Sequence, residues 1–193
     1  KLRRDVVSSL FALGLPVASM AVDAAYTFTV IDAAGLFPGT VLTDTRGINN
    51  NGMLVGYASD LTSDTSFQYL NGVYSPLPAP PVGVMIDALA LNDNGLIVGG
   101  AFDSTAMRGF LLSGGSYTFV DRPTWTKTHF RAANNAGLVT GMSDNLGPDG
   151  AIGVGLTEGF VYDPASQVFT IFAESFTIPG SNPSVQASFA DSR

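Results

Sequence analysis

The sequence predicts an all-β chain of propeller-like repeats, each a four-stranded antiparallel blade of about 42 residues. Three observations carry this prediction. First, a nine-residue motif occurs three times: Ile48-Asn49-Asn50-Asn51-Gly52-Met53-Leu54-Val55-Gly56, then Leu91-Asn92-Asp93-Asn94-Gly95-Leu96-Ile97-Val98-Gly99, then Ala133-Asn134-Asn135-Ala136-Gly137-Leu138-Val139-Thr140-Gly141. The central glycines are 43 and 42 residues apart. Second, each motif is followed by an aromatic landmark: Ser66-Phe67-Gln68-Tyr69, Gly109-Phe110-Leu111-Leu112 and Gly159-Phe160-Val161-Tyr162. The glycine-to-phenylalanine interval is 15, 15 and 23 residues, so the third copy carries 8 extra residues between Ser143 and Gly159. Third, no stretch after Ala24 has the apolar spacing of a helix.

Within a copy, the first strand ends at the asparagine-rich turn, as in Ala88–Leu91. The second follows the turn glycine, as in Leu96–Phe102. The third contains the Gly-Phe landmark, as in Gly109–Leu112, and the fourth follows another tight turn, as in Tyr117–Val120. Asn71-Gly72, Gly114-Gly115 and Asn94-Gly95 supply the positive φ that short hairpin turns need. Proline-rich links, 76–81 and Asp121-Arg122-Pro123, separate the copies because proline cannot continue a ladder. A solenoid of short coils or a β-sandwich accommodates so strict a repeat less well.

These landmarks divide the chain into a partial repeat at 25–40, repeats at 41–83, 84–125 and 126–175, and a partial repeat at 176–193. Tyr26–Asp32 resembles a fourth strand with no blade before it. Ala187–Arg193 resembles the approach to a further turn. The expectation is therefore an incomplete ring, the N-terminal part of a longer propeller.

Residues 1–24 form a separate segment. Lys1-Leu2-Arg3-Arg4 precedes a small and apolar run that ends at Val22-Asp23-Ala24. A basic start, a short apolar stretch and a small-x-small site describe a secretory signal peptide. Arg3-Arg4 also suits twin-arginine export. Ser8, Ser9, Gly14, Pro16 and Ser19 interrupt the run and make it a poor membrane span. The expected location is extracellular or at the cell surface.

The composition narrows the function classes. The chain has 193 residues, a net charge of −7, no cysteine and one histidine. Those absences exclude a disulfide scaffold, a cysteine-ligated zinc and any multi-histidine metal centre. An acidic chain without a basic run after Arg4 has no electrostatic reason to bind nucleic acid or an anionic membrane.

At its motif the sequence resembles the bacterial extracellular repeat proteins of the HAF family. Their Ile-Asn-x-x-Gly-x-Val-Val-Gly core and following Gly-Phe strand match Ile48 to Gly56 and Gly109-Phe110. The resemblance spans roughly Tyr26 to Arg193. It implies an extracellular repeat protein and supplies no catalytic residues to carry over. The third copy departs from the pattern at Ala133 and Thr140.

Several residues invite a chemical reading beside a plain one. Asn49, Asn92 and Asn134 recur at one turn, but asparagine begins turns without any ligand, and calcium loops need several carboxylates at alternate positions. Asp60, Asp103 and Asp144 follow the turn glycine by 8, 8 and 7 residues. Brought together on one face, they would suit a hard cation such as calcium; each also suits the start of a turn. The inserted segment from Ser143 to Gly159 is the natural place for a binding loop. Glu158 and Glu174, the two glutamates, invite a glycosidase pair. His129 stands in a link beside Lys127 and Arg131, with no nucleophile motif near it. Tyr117 and Trp125 are candidate sugar-stacking aromatics. There is no Gly-x-Ser-x-Gly, phosphate loop or dinucleotide fingerprint. The expected function is a non-enzymatic interaction scaffold for extracellular polysaccharide or protein, with no cofactor. The alternative is a propeller-type glycan hydrolase or lyase using Asp60, Asp103 and Glu158.

Overall fold

The computed structural model describes residues 28–34, 37–104, 106–144 and 157–172. The proposed signal peptide, the inserted loop 145–156, Glu174 and the partial repeat at 176–193 lie outside the described residues. Within them the chain is all-β, with strands β1 (Leu42–Ile48), β2 (Leu54–Ser59), β3 (Asp64–Leu70), β4 (Val73–Pro76), β5 (Met85–Leu91), β6 (Ile97–Phe102), β7 (Met107–Ser113), β8 (Ser116–Val120), β9 (Lys127–Ala133), β10 (Val139–Asp144), β11 (Thr157–Asp163) and β12 (Val168–Phe172). They form one sheet of 4 strands and one of 8.

Each copy of the repeat is an antiparallel four-strand meander, β1–β4, β5–β8 and β9–β12. A single parallel bridge, Met107 to Lys127, joins the second and third meanders into the larger sheet. Turn chemistry fixes the outer hairpins: Asn71 and Gly72 take φ of 51° and 86°, and Gly114 and Gly115 take 57° and 81°, the paired left-handed residues of a two-residue turn. The motif turn is different from the two-residue hairpin expected at Asn94-Gly95. Only Gly95 has positive φ, and the loop closes from Asn92 N–H to the Leu96 carbonyl at 3.0 Å. The Asn92 Oδ1 accepts from Asn94 N and Leu96 N, each at 3.0 Å, which makes a second left-handed residue unnecessary.

The last glycine of the motif has a steric cause. Each first strand carries a bulge, with Arg46, Leu89 and Arg131 left out of the ladder. A bulge bends its strand toward the partner. A Cβ at Gly56, Gly99 or Gly141 would lie 2.0, 1.9 or 2.3 Å from the backbone carbonyl oxygen of Asp44, Asp87 or His129. Glycine is required there by this close approach.

Packing runs from one meander to the next. Val55 faces forward onto Ala88, Leu91, Ile97, Phe110 and Leu112, and Val98 faces forward onto Phe130, Val139, Phe160 and Tyr162. The landmark phenylalanines Phe67, Phe110 and Phe160 are all fully buried. The stretch before the first repeat corrects the sequence expectation. Residues 28–34 are in no strand; instead Asp32 Oδ1 accepts from Ala34 N at 2.9 Å to make a turn, and Ala33 and Phe37 cover Phe67 and Ala58.

Candidate functional site

The recurrent asparagines form a clasp between repeats. Asn49 Nδ2 donates to the Asn92 carbonyl at 3.1 Å, and Asn92 Nδ2 donates to the Asn134 carbonyl at 2.8 Å. Asp93 sits between them as a common acceptor. Its carboxylate takes Asn50 N and Asn50 Nδ2, both at 2.8 Å, and Asn135 Nδ2 at 2.7 Å. These bonds, the Asn50 side chain foremost, hold the Asp93 carboxyl below its ordinary value. Turn residues that resemble ligands in the sequence are thus occupied in joining three repeats.

Asn92→Asp tests the clasp. It keeps the acceptor for the local turn but turns an oxygen toward the Asn134 carbonyl. The expected loss is about 2 kcal/mol of stability in urea unfolding, the range for removing a buried hydrogen bond and leaving a poor contact. Asn134→Asp, whose Nδ2 donates to nothing among the described residues, is expected to lose less than half as much. Equal losses would reduce the asparagines to local caps.

The three aspartates proposed for a cation stay with their own hairpins. Exposed Asp60 accepts from Thr62 N at 2.8 Å, Thr62 Oγ1 at 2.6 Å and Ser63 N at 2.7 Å. Those bonds, led by the Thr62 hydroxyl, lower its pKa to about 2. Asp103 accepts from Ala106 N at 2.9 Å and forms an ion pair with Arg108. Asp144 Oδ1 accepts from Thr157 Oγ1 at 2.7 Å. Among the described residues no group of three or more carboxylates or histidines is close enough to hold a metal ion. Glu158, named in the glycan-enzyme reading, is paired with Arg122 at 2.6 Å, and that guanidinium also lies 4.1 Å from the Trp125 ring centroid. Tyr117 packs against Phe110 and Phe119.

A different set of residues recurs at one place in each repeat. Asp44, Asp87 and His129 each lie five residues before the turn asparagine, so they occupy equivalent places on β1, β5 and β9. Their cross-strand partners are Tyr57, Gly100 and Met142. Between the first and second repeats is a cleft of about 260 Å³, lined by Arg46, Tyr57, Asp64, Met85, Ile86, Asp87 and Phe102. Asp44 pairs with Arg46 Nε at 2.8 Å, and the guanidinium lies 5.3 Å from the Tyr57 ring centroid. Asp87 is partly buried, and its Oδ1 is sealed from water without a hydrogen-bond partner. Burial pushes the Asp87 carboxyl above its ordinary value; Arg46 and Arg131 pull it down, while Asp44 and Asp64 add to the rise.

His129 is not in a link, as its neighbours in the sequence suggest, but inside β9 and buried. Gly100 makes room for it: a Cβ there would lie 2.7 Å from His129 Nε2. Phe102 meets the imidazole edge-on at 6.2 Å between centroids. Burial first, then Arg131, lowers the His129 pKa to about 4. The signal for the Asp44–Asp87–His129 row in the sequence is its fixed spacing from the turn asparagine, clearest at Asp87, the one polar residue of β5.

No family model, no curated protein and no solved structure matches this chain.

Proposed function

We propose that the chain is an exported binding scaffold whose meanders are propeller-type blades, with β1, β5 and β9 innermost. The observation that carries this reading is that each first strand lies against the preceding repeat, β5 against β1 and β2, and β9 against β5, β6 and β7, with the clasp at their ends. Such packing gives each repeat junction a rigid floor, and the cleft opens at the first junction. Rigid scaffolds with side chains gathered at a junction suit recognition of a ligand. The basic and apolar start of the chain supports export, and the motif's likeness to the HAF repeats supports a place at the cell surface. Among the described residues, no helix is long and apolar enough to cross a membrane.

Fractionation of producing cells and a re-binding assay test the proposal together. The protein is expected in the medium or surface fraction, and added protein is expected to re-bind stripped cells saturably without releasing reducing ends from their polysaccharide. Retention inside the cell, or catalytic release of sugar, would contradict it.

A further inference from the structure

The cleft between the first and second repeats carries a more specific conclusion. We propose that it binds a neutral sugar ring, a deepening that rests on the binding-scaffold reading above. The lining decides the ligand's charge. An anion entering the cleft meets the carboxylate of Asp64 and the carboxyl of Asp87; a cation meets the Arg46 guanidinium, which already holds Asp44 and the face of Tyr57. Charged ligands of either sign therefore face a like charge in a partly desolvated place, where that repulsion is least screened.

A sugar matches what remains. Its hydroxyls both donate and accept, so they serve the guanidinium N–H groups of Arg46, the oxygens of Asp64 and the unsealed side of the Asp87 carboxyl at once. Its C–H face suits the apolar wall of Met85, Ile86 and the Phe102 ring. At about 260 Å³ the cleft lies just below the usual range of ligand pockets, about 300 to 1,000 Å³. That fits a single ring. The Tyr57 side of the cleft is specific to this junction: the equivalent place holds Gly100 in the second repeat and Met142 in the third.

Amide spectra of the ¹⁵N-labelled full chain, titrated with the methyl glycosides of glucose, galactose and mannose, test the assignment. At least one glycoside is expected to shift Arg46, Tyr57, Asp87 and Phe102 saturably, with a Kd on the order of 1 mM. Phe102→Ala, checked for an otherwise unchanged spectrum, is expected to weaken binding about tenfold, the effect of losing an aromatic contact. Asp87→Asn keeps the shape and most hydrogen bonds and is expected to retain binding within a few-fold. Absent or scattered shifts with all three glycosides would overturn the proposal. Saturation of the same amides by methylammonium or acetate would overturn the neutral-ligand assignment. Surface re-binding without glycoside shifts would remove the sugar site and leave the scaffold standing; glycoside shifts without surface re-binding would do the reverse.

Discussion

Gly99→Ala is expected to cost about 4 kcal/mol or more and to leave little folded protein, an effect at the extreme of single substitutions. The added methyl would lie 1.9 Å from the Asp87 carbonyl oxygen and 2.9 Å from Phe110 Cε1. Neither neighbour has room to yield. The carbonyl belongs to the bulged β5 backbone, and Phe110 is fully buried between repeats. Gly95→Ala makes the contrast. Its Cβ would meet nothing within 4 Å, but its φ is +81°, so only the left-handed backbone penalty of about 1–2 kcal/mol applies. Urea midpoints for the two variants check the order. Similar losses would mean that the bulge does not press on β6 as described.

Acidification from pH 7 to pH 4.5 is expected to destabilise the wild-type protein by about 2–3 kcal/mol through His129 alone. The folded-state pKa is depressed from 6.5 to about 4, so the folded imidazole stays neutral while the unfolded one takes up a proton below pH 6.5. The unfolded state then binds more protons, and stability falls as pH drops, levelling off near pH 4. The charged groups acting on the ring are Arg131 and Arg46, which lower its pKa, and Asp144, which raises it. Asp87 works with the opposite sign. Its raised folded-state pKa favours the folded protein as pH falls through that value toward 3.8. His129→Gln keeps a neutral polar side chain and is expected to flatten the profile between pH 7 and 4.5. A wild-type profile already flat, or a slope that survives the substitution, would show that the ring is solvated in the folded protein.

The division between what could be read from the chain and what could not follows physical lines. The strand order within a repeat was legible because hairpin turns are local: Asn71-Gly72 and Gly114-Gly115 announce their own backbone geometry. The burial of Phe67, Phe110 and Phe160 followed from their recurrence. The clasp was not legible, since Asn49, Asn92 and Asn134 look like ordinary turn formers, and their Nδ2 bonds reach 42 or 43 residues along the chain. Nor was the bulge. Leu89 stands where the other two repeats have Arg46 and Arg131, so no one residue type marks the bulge, and only the glycines opposite record the carbonyl pressed against them. The cation candidates Asp60, Asp103 and Asp144 were sound as a spacing, but hairpin hydrogen bonds claim each carboxylate locally. The polar row of Asp44, Asp87 and His129 was visible as a repeat position and needed the strand register to be recognised.

A pair of distances distinguishes blades that fan from an axis from sheets that stack evenly, and the absence of native cysteine makes it clean to measure. Spin labels on cysteines at Leu42 and Met85 mark the first strands of two successive repeats; labels at Val73 and Ser116 mark their fourth strands. Pulsed electron resonance is expected to give a short inner distance, near the roughly 10 Å spacing of packed sheets, and a clearly longer outer one. Equal inner and outer distances would contradict the propeller-type arrangement and leave a parallel stack of meanders in its place.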